Sequence, residues 1–445
     1  MSHALHEVHL DGLVGPTFSR AFSIADNVAS VANAGRPTSP RAAALQGLTK
    51  MKRVADLGGW QVVLPPQERP DVGFLRRVGF AGPDHAVIAA AARQAPALLA
   101  QACSSSAMWA ANAATVTPSC DAGDGRVHIT PANLAAHLHR ALEAGPTTRI
   151  LRRVFPEEAG FVHHAPLPCH PGLGDEGAAN QMRLGDPRGE PRARVFVHGV
   201  PASGAPHPVR RLGRQTLAAS EALARQHGLY AAEVVFAQQH PDAIDAGAIH
   251  NDVVALAAGT VVAAHARAWL DAPAIVEALR ARIVDMRVLL VSEEELPLTE
   301  AVGTYVFNSQ LLRPESGRPV LLASADALAN PRARTVLERI CDLAGAGQPH
   351  EVELSESMSN GGGPACLRLR CLLTPGERER LHGGLRLTDA LYEALRTWIM
   401  RHYRERLDPA DLSDPRLLDE VRCALDELTG LLGLGSLYPF QGATN

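Results

Sequence analysis

In the stretch Met358-Ser-Asn-Gly-Gly-Gly-Pro-Ala-Cys366-Leu-Arg-Leu-Arg370, three glycines and a proline precede a cysteine. Consecutive glycines allow positive φ angles and a close approach of the backbone to a ligand. After the cysteine, apolar and polar residues alternate, which predicts a strand with one buried face. Cys366 is therefore expected where a glycine turn meets a rigid strand. That position suits a nucleophilic thiol, but it equally suits a cysteine that is simply buried at the start of a strand.

Length and composition are those of a globular chain. The 445 residues, 46% of them hydrophobic, could form two or three average domains or one large α/β body. The net charge is −4 and the arginines are scattered among acidic residues, so we expect no nucleic-acid partner. The longest apolar window, residues 253–264, contains Gly259 and Thr260 and is too short to cross a bilayer. No membrane partner is expected either.

The cysteine pattern bears on the cellular compartment and on metal binding. The chain has seven cysteines and no Cys-x-x-Cys pair, which favours reduced thiols in the cytoplasm over a disulfide framework or a zinc cage. The first nine residues lack a basic region followed by an apolar run, so no signal peptide is expected. His250 and Asp252 have no third ligand at a recognised spacing, so we predict no metal.

Local patterns predict alternating helices and strands after an irregular opening at 8–38. Helices are predicted at 40–57, 84–102, 131–140, 214–227, 273–283, 298–312, 332–344, 388–406 and 414–433. Strands are predicted at 60–64, 126–129, 194–198, 234–237, 287–291, 319–323, 351–354 and from 367 onward. This alternation alone would indicate a doubly wound parallel sheet.

Several polar residues stand in settings that demand partners. Asn112 lies among alanines, where its amide must bind backbone groups or a substrate carboxylate. His139 and Arg140 end a predicted helix, so they either interact favourably with the helix dipole or bind an anionic substrate. Glu176, in the segment Gly174-Asp-Glu-Gly177, is either part of a solvated turn or a carboxylate held near a ligand.

The segment His250-Asn-Asp252 directly precedes an apolar strand, where α/β proteins often keep their functional groups. If the strand includes this segment, His250 and Asp252 share a face. A thiol, an imidazole and carboxylates together suit a guanidinium: the carboxylates hold its nitrogens, the thiolate attacks its carbon, and the imidazole protonates the departing ammonia. An amide substrate would instead need an oxyanion hole, which the glycine turn could supply. These residues do not choose between the two.

The chain resembles the bacterial succinylarginine dihydrolase family nearly from end to end, as one catalytic domain over 1–445. No single segment is specific, but together they are. The segments that carry the resemblance are Asp11–Thr17, Pro40–Leu48, Met108–Val116, Gly174–Asn180, Ala237–Gln239, His250–Val253, Phe307–Leu312, Asn360–Arg370 and Tyr438–Gln441.

The resemblance implies an α/β pentein fold, a five-bladed propeller of ββαβ modules with pseudo-fivefold symmetry. It implies Cys366 as nucleophile, His250 and Glu176 as its catalytic partners, and Asp252 as the group that grips the guanidinium. The implied substrate-binding residues are Ala21, Asn27, Ser30, Asn112, His139, Arg140, Arg214 and Asn360. The implied reaction converts N2-succinyl-L-arginine and two waters to N2-succinyl-L-ornithine, two ammonia and carbon dioxide, without a cofactor, in a cytoplasmic homodimer.

One segment departs from the family. Where the family has Thr-His-(polar)-Tyr-Ala-Gly-Leu-Ser-Phe-Gly-Asn, residues 17–27 are Thr-Phe-Ser-Arg-Ala-Phe-Ser-Ile-Ala-Asp-Asn. Two glycines are replaced, by Phe22 and Asp26, and Arg20 is new. Asp26 would repel a succinyl carboxylate if it faced the pocket. The alternative is therefore a related cysteine-dependent deiminase or dihydrolase that acts on another arginine derivative.

Overall fold

The computed structural model describes residues 5–21, 27–185, 192–201, 204–315 and 317–442. These residues form fifteen strands: β1 His6–Gly12, β2 Trp60–Leu64, β3 Ala114–Thr117, β4 His128–Pro131, β5 Val162–His163, β6 Gln181–Gly185, β7 Arg192–His198, β8 Val234–Gln238, β9 Ala255–Ala258, β10 Val261–His265, β11 Arg287–Val291, β12 Gln310–Leu312, β13 Val320–Ser324, β14 His350–Val352 and β15 Arg368–Leu373.

The same residues form seventeen α-helices. They are α1 Val28–Asn33, α2 Pro40–Asp56, α3 Val72–Arg77, α4 Asp84–Gln94, α5 Pro96–Ala102, α6 Leu138–Ala141, α7 Ala144–Val154, α8 Leu217–Gln226, α9 Pro241–Ala246, α10 Ala272–Arg280, α11 Leu298–Thr304, α12 Ala325–Ala329, α13 Pro331–Ala344, α14 Ser355–Ser359, α15 Pro375–Glu379, α16 Asp389–His402 and α17 Arg416–Leu431.

The strands form five three-stranded sheets of one repeated design. Their orders are β15-β1-β2, β3-β4-β5, β6-β7-β8, β9-β10-β11 and β12-β13-β14. In each sheet the central strand pairs antiparallel with the first strand and parallel with the third. A parallel pair needs a crossover, and helices supply it between the second and third strands. The prediction of one doubly wound sheet is therefore wrong, whereas the α/β class is confirmed.

The first sheet joins the two ends of the chain. β15 pairs antiparallel with β1, so that Leu369 faces Leu10 and Cys371 faces Val8. The sequence-based prediction of an irregular opening at 8–38 is wrong, because β1 is the centre of this sheet. Its alternate residues are polar, and Asp11 is buried. The ammonium of Lys50 and the Gln61 amide, 2.9 Å away, hydrogen-bond to the Asp11 carboxylate, so its burial does not leave an unpaired charge.

Helix α2 follows the local rules that predicted it. The Ser39 side chain accepts from the Ala42 N–H as an N-cap, and Pro40 takes the first helical position. The predicted helix at 84–102 is instead two helices, since Pro96 cannot continue the first one. The predicted helix at 131–140 is wrong, because Pro131 belongs to β4 and only the short α6 forms.

A tight turn precedes the first strand of every sheet. Four of these turns are 3₁₀ helices: Ala110–Asn112, Gly177–Asn180, Asn251–Val253 and Val306–Asn308. The fifth turn, residues 364–367, leads into β15. The predicted helix at 298–312 is wrong beyond Thr304, because Tyr305 has a φ of 57° and the chain turns into β12. These five turns place the residues of the candidate site.

Candidate active site

One cavity is lined by half of the residues proposed from the sequence. Its lining includes Asn27, Trp109, Asn112, Arg140, Arg214, His250, Tyr305, Gly361 and Cys366. Glu176 and Asp252 adjoin it through contacts with His250 and Cys366, respectively. The cavity therefore holds a thiol, an imidazole, carboxylates and two guanidinium groups.

Cys366 is buried in the turn before β15, two residues earlier than the start of the strand. Its backbone N–H and that of Ala365 donate to Oδ1 of Asn308, at 3.2 and 2.9 Å. The Sγ–H donates to Oδ2 of Asp252 at 3.9 Å. Burial, and then the nearby Asp252 charge, raise the pKa of the Cys366 thiol well above its usual value. Without a substrate, this thiol is protonated.

The three glycines before Cys366 make room for different neighbours. Gly361 has a φ of +105°, as the sequence suggested, and a Cβ there would overlap the Asn27 amide. Gly362 and Gly363 do not have positive φ angles, but a Cβ on Gly362 would overlap the Trp109 ring. A Cβ on Gly363 would lie 2.7 Å from Oδ1 of Asn308 and 2.8 Å from the Tyr305 ring. The glycine run thus permits close packing around the cysteine.

Asp252 contributes a carboxylate with spare acceptor capacity. Its Oδ1 is buried and has no hydrogen-bond partner among the described residues. Burial raises the pKa of this carboxyl to about 7. A cation placed beside Asp252 would reverse that effect and favour the carboxylate. His250 directly precedes a 3₁₀ turn that contains Asp252, so the expectation that they share a strand face is wrong.

His250 and Glu176 form a buried pair. His250 Nε2–H donates to Glu176 Oε2 at 2.8 Å, and Asn112 Nδ2 donates to the Glu176 backbone carbonyl at 2.8 Å. Burial alone would raise the pKa of Glu176, but the His250 hydrogen bond and the charges of His250, Arg214 and Arg140 lower it to about 2. Burial lowers the pKa of His250, and the Glu176 carboxylate opposes that shift. Glu176 is therefore ionised and orients the imidazole.

Two buried arginines give the cavity a cationic part. The Arg140 guanidinium lies 5.9 Å from the Trp109 ring centroid, and its Nε is 3.1 Å from Glu143 Oε1. Arg214 Nη1 lies 4.0 Å from Glu176 Oε2. Nη2 of Arg140 is buried and has no hydrogen-bond partner among the residues that the structure describes. Such a group suits an incoming carboxylate.

Four of the expected substrate-binding residues do not line the cavity. His139 is buried and stacks on His137 at 5.8 Å, and burial, reinforced by the Arg140 charge, lowers its pKa to about 2. Ser30 is buried in α1, where its N–H donates to Asn27 Oδ1 at 2.9 Å. Ala21 packs against the hydrophobic core, and Asn360 ends α14. Asn27 itself lines the cavity and donates to the Gly361 carbonyl at 3.0 Å.

The departing segment 17–27 lies only partly within the described residues. Phe22 and Asp26 are outside them. Arg20 is buried and donates to Glu356 Oε2 at 2.9 Å and to the Pro37 carbonyl at 3.1 Å. Arg20 is absent from the described lining of the cavity. The new arginine thus ties its segment to α14, which leads into the glycine turn.

Three residues of the site were missed as functional candidates. Trp109 and Tyr305 line the cavity, and Asn308 connects Cys366 to Asp252. Trp109 and Asn308 lie in segments that carried the family resemblance, but neither residue type suggests chemistry. Their roles depend on packing and backbone contacts between distant segments, which leave no periodic signal in a sequence.

Hydrogen bonds link the five turns into a closed series. Ala111 N–H donates to the Cys366 carbonyl, and Cys366 N–H donates to the Asn308 side chain. Asn308 Nδ2 donates to the Asp252 carbonyl at 3.2 Å. Asn251 N–H donates to Asn180 Oδ1 at 2.8 Å, and Asn112 donates to the Glu176 carbonyl. The series returns to the turn from which it began.

The described part of the chain contains no group of three or more His, Cys, Asp and Glu side chains placed to hold a metal ion. None of its helices is long and apolar enough to span a membrane.

Comparisons with known proteins agree with this architecture. The family model for succinylarginine dihydrolase matches residues 4–441. The N-succinylarginine dihydrolase of Chromohalobacter salexigens is 51% identical over 448 residues, which cover 99% of this chain and 100% of that protein. The protein of the same name from Burkholderia thailandensis is 50% identical over 443 residues, which cover 98% of this chain and 99% of that protein.

Among solved structures, the product-bound N-terminal domain of ArgZ, an arginine dihydrolase of cyanobacteria, superposes with a TM-score of 0.51 at 17% identity. The match covers 82% of this chain and 97% of that domain. The protein is thus a hydrolase with an α/β, pentein-like fold and a buried cysteine in a polar cavity. Within that class, the chain belongs to the succinylarginine dihydrolase family.

Proposed function

We propose that this protein hydrolyses N2-succinyl-L-arginine to N2-succinyl-L-ornithine, two ammonia and carbon dioxide, in the catabolism of arginine. The observation that carries the proposal is the joint lining of one cavity by Cys366, His250, Arg140 and Arg214. The names of its close relatives and the family match support the same substrate.

The charges of the cavity complement this substrate. Succinylarginine carries one guanidinium and two carboxylates. We assign the guanidinium to Asp252, whose Oδ1 has no partner among the described residues, and to Glu176. Arg140 and Arg214 are assigned to the carboxylates, because arginine forms bidentate, charge-assisted hydrogen bonds with such groups. Asn27 and Asn112 line the same cavity and offer amide donors.

Cys366 is the proposed nucleophile. The guanidinium brings a positive charge next to a thiol whose pKa is otherwise raised by burial, so substrate binding favours the thiolate. The thiol proton passes to His250, the thiolate attacks the guanidinium carbon, and His250 gives that proton to the departing ammonia. Water, activated by His250, then displaces the sulfur and leaves a bound citrulline-type intermediate. Asp252 holds the nitrogens throughout, and Glu176 keeps the His250 imidazole oriented.

The second half of the reaction uses the same groups. Cys366 attacks the ureido carbon, and the amine of succinylornithine departs with a proton from His250. A second water hydrolyses the carbamoyl thioester, and the resulting carbamate decomposes to ammonia and carbon dioxide. Two waters are consumed in total, and no cofactor or metal takes part.

The proposed fold is a closed five-bladed propeller formed by residues 1–445 as a single catalytic domain. Five sheets of the same order and the closed series of hydrogen bonds among their turns support it. We also propose four contributors to substrate binding that do not belong to the described cavity lining: Ala21, Ser30, His139 and Asn360. From the family resemblance we also propose that the protein is a homodimer in the cytoplasm. Light scattering of the purified protein tests the dimer.

Ammonia release per substrate consumed tests the reaction. Two equivalents from succinylarginine, with no release from arginine or acetylarginine, support the proposal. One equivalent indicates a deiminase, and turnover of another guanidine alone indicates that the 17–27 segment has changed the substrate. Activity that survives a chelator separates this mechanism from a metal-dependent one.

Cys366→Ala tests the nucleophile. We expect no detectable turnover and binding of succinylarginine close to that of the wild type, measured by calorimetry. Cys423→Ala is the matched control, because Cys423 is an exposed thiol far along the chain from these turns. Turnover by Cys366→Ala at the rate of the control would rule out the assignment.

A further inference from the structure

A second cavity lies against the catalytic one and is lined by four arginines. Its lining also includes residues from the first strands of all five sheets, and the arginines are Arg183, Arg194, Arg368 and Arg370. Cys366 does not line this cavity, but Asp252 does, and Asp252 Oδ2 lies 3.9 Å from Cys366 Sγ. We name this cavity the arginine chamber.

Positive charge exceeds negative charge in the arginine chamber. Among the described residues of its lining, Asp252 is the one acid against four arginines. Arg183 is neutralised by Asp121, at 2.8 and 2.9 Å, and Arg370 lies 3.4 Å from Glu7. These two arginines therefore have counter-charges outside the lining.

Arg194 and Arg368 have no carboxylate within ion-pair distance among the described residues. Arg194 donates to Gln181 Oε1 and to the Val116 carbonyl, which are neutral acceptors. Nε and Nη1 of Arg368 are buried and have no hydrogen-bond partner in the described structure. Burial lowers the pKa of both groups to about 10, although the Asp121 charge opposes this shift at Arg194 and more distant carboxylates oppose it at Arg368. A buried guanidinium without a carboxylate in direct contact is unfavourable, and a bound anion would reduce the penalty.

A further cavity adjoins the arginine chamber. It is lined by His6, Glu7, Arg313 and Glu315, and it shares Arg183, Arg370 and Leu372 with the chamber. The Glu315 side chain is 46% exposed, so this neighbouring cavity lies near the surface.

We propose that the arginine chamber binds a small inorganic oxyanion, of the size of bicarbonate or phosphate, through Arg194, Arg368 and Arg370. Guanidinium groups match the planar oxygens of such anions, and several of them converge on one space. The site is separate from the catalytic cavity and does not require the proposed reaction. It also predicts that the anion does not compete with the substrate for the catalytic cavity.

Isothermal titration calorimetry with sodium bicarbonate, and separately with sodium phosphate, tests the site. Ionic strength is held with sodium gluconate, whose anion is larger. We expect saturable binding of one anion per chain, weakened about tenfold or more in Arg194→Gln and in Arg368→Gln. Arg225→Gln, at an exposed arginine, should bind as the wild type does. If circular dichroism shows that either variant fails to fold, Arg370→Gln replaces it.

Arg140→Gln locates the anion, because the catalytic cavity also contains arginines. Unchanged anion affinity in this variant supports the arginine chamber. Loss of binding in Arg140→Gln, with normal binding in the chamber variants, would place the anion in the catalytic cavity and overturn the proposal. The absence of saturable heat with both anions would overturn it as well.

Discussion

Replacement of Asn308 by alanine should uncouple the nucleophile from its support. Asn308 is fully buried, and its Oδ1 accepts from the N–H groups of Ala365 and Cys366 while its Nδ2 donates to the Asp252 carbonyl. Asn308→Ala leaves the buried Cys366 N–H without an acceptor, whereas the Ala365 N–H keeps the backbone carbonyl of residue 308. An unsatisfied buried donor costs about 1–3 kcal/mol, so we expect the free energy of unfolding to fall by about that amount.

Urea unfolding followed by circular dichroism measures this loss, and steady-state kinetics measures the effect on turnover. A shift of about 1 Å in a reacting group costs about 10²-fold, so kcat should fall by at least that factor. Asn330→Ala is the matched control, since Asn330 caps α13 by accepting from the Ala333 N–H. It should cost about 1 kcal/mol and leave kcat unchanged. The reasoning is refuted if Asn308→Ala is as stable and as active as the control.

Three further expectations concern the same site. With Asp252 at a pKa of about 7, kcat/KM should rise as the pH increases through 7, because only the ionised carboxyl pairs with a guanidinium; a flat profile between pH 6 and 8 would contradict this role. Glu176→Gln should lower the pKa of His250 further, because the Glu176 carboxylate of the wild type raises it. The same variant should reduce kcat by about 10²-fold. An unchanged pKa of His250 in an NMR titration would count against the pairing. Gly363→Ala should reduce both stability and turnover, because its methyl group would meet Asn308 and Tyr305, whereas Gly376→Ala meets nothing within 4 Å and should be neutral or slightly stabilising in the same unfolding assay.

The sequence predicted those helices and strands that are stabilised by residues close to them in the chain. Helix α2 could be placed from Ser39 and Pro40 because capping acts within one turn of chain. Strand β1 could not, since its alternate residues His9 and Asp11 are polar. The buried Asp11 carboxylate is stabilised by hydrogen bonds from Lys50 and Gln61, which lie far along the chain. The sequence of this buried strand, taken alone, therefore resembles that of a surface loop.

The proposed catalytic residues followed from the family resemblance of the chain and from the chemistry of their side chains, but their geometry did not. A period-2 pattern predicted His250 and Asp252 on one strand face, whereas Asp252 lies in a 3₁₀ turn that His250 directly precedes. The turn forms because Asn251 is fixed by Asn180 and by Trp269 Nε1, at 2.8 and 3.0 Å. Neither partner is a neighbour in the sequence, so only the tertiary structure decides this conformation.

Some polar side chains of the five turns hydrogen-bond to neighbouring turns, and others are left for the proposed reaction. Asn112, Asn180 and Asn308 satisfy the backbone of neighbouring turns, whereas Asp252 Oδ1 has no partner in the described residues. A group reserved for substrate in this way should cost stability.

The cost of Asp252 can be measured through its pH dependence. Its pKa of about 7 in the folded protein exceeds the usual value near 4, so the folded state binds more protons than the unfolded state between those pH values. Stability is therefore lost as the pH rises from about 4 to 7, by about 2–4 kcal/mol. Asp252→Asn should not show this loss, so its unfolding free energy relative to the wild type should increase between pH 5 and pH 8. A difference that stays constant across this range would show that Asp252 is already compensated in the folded protein.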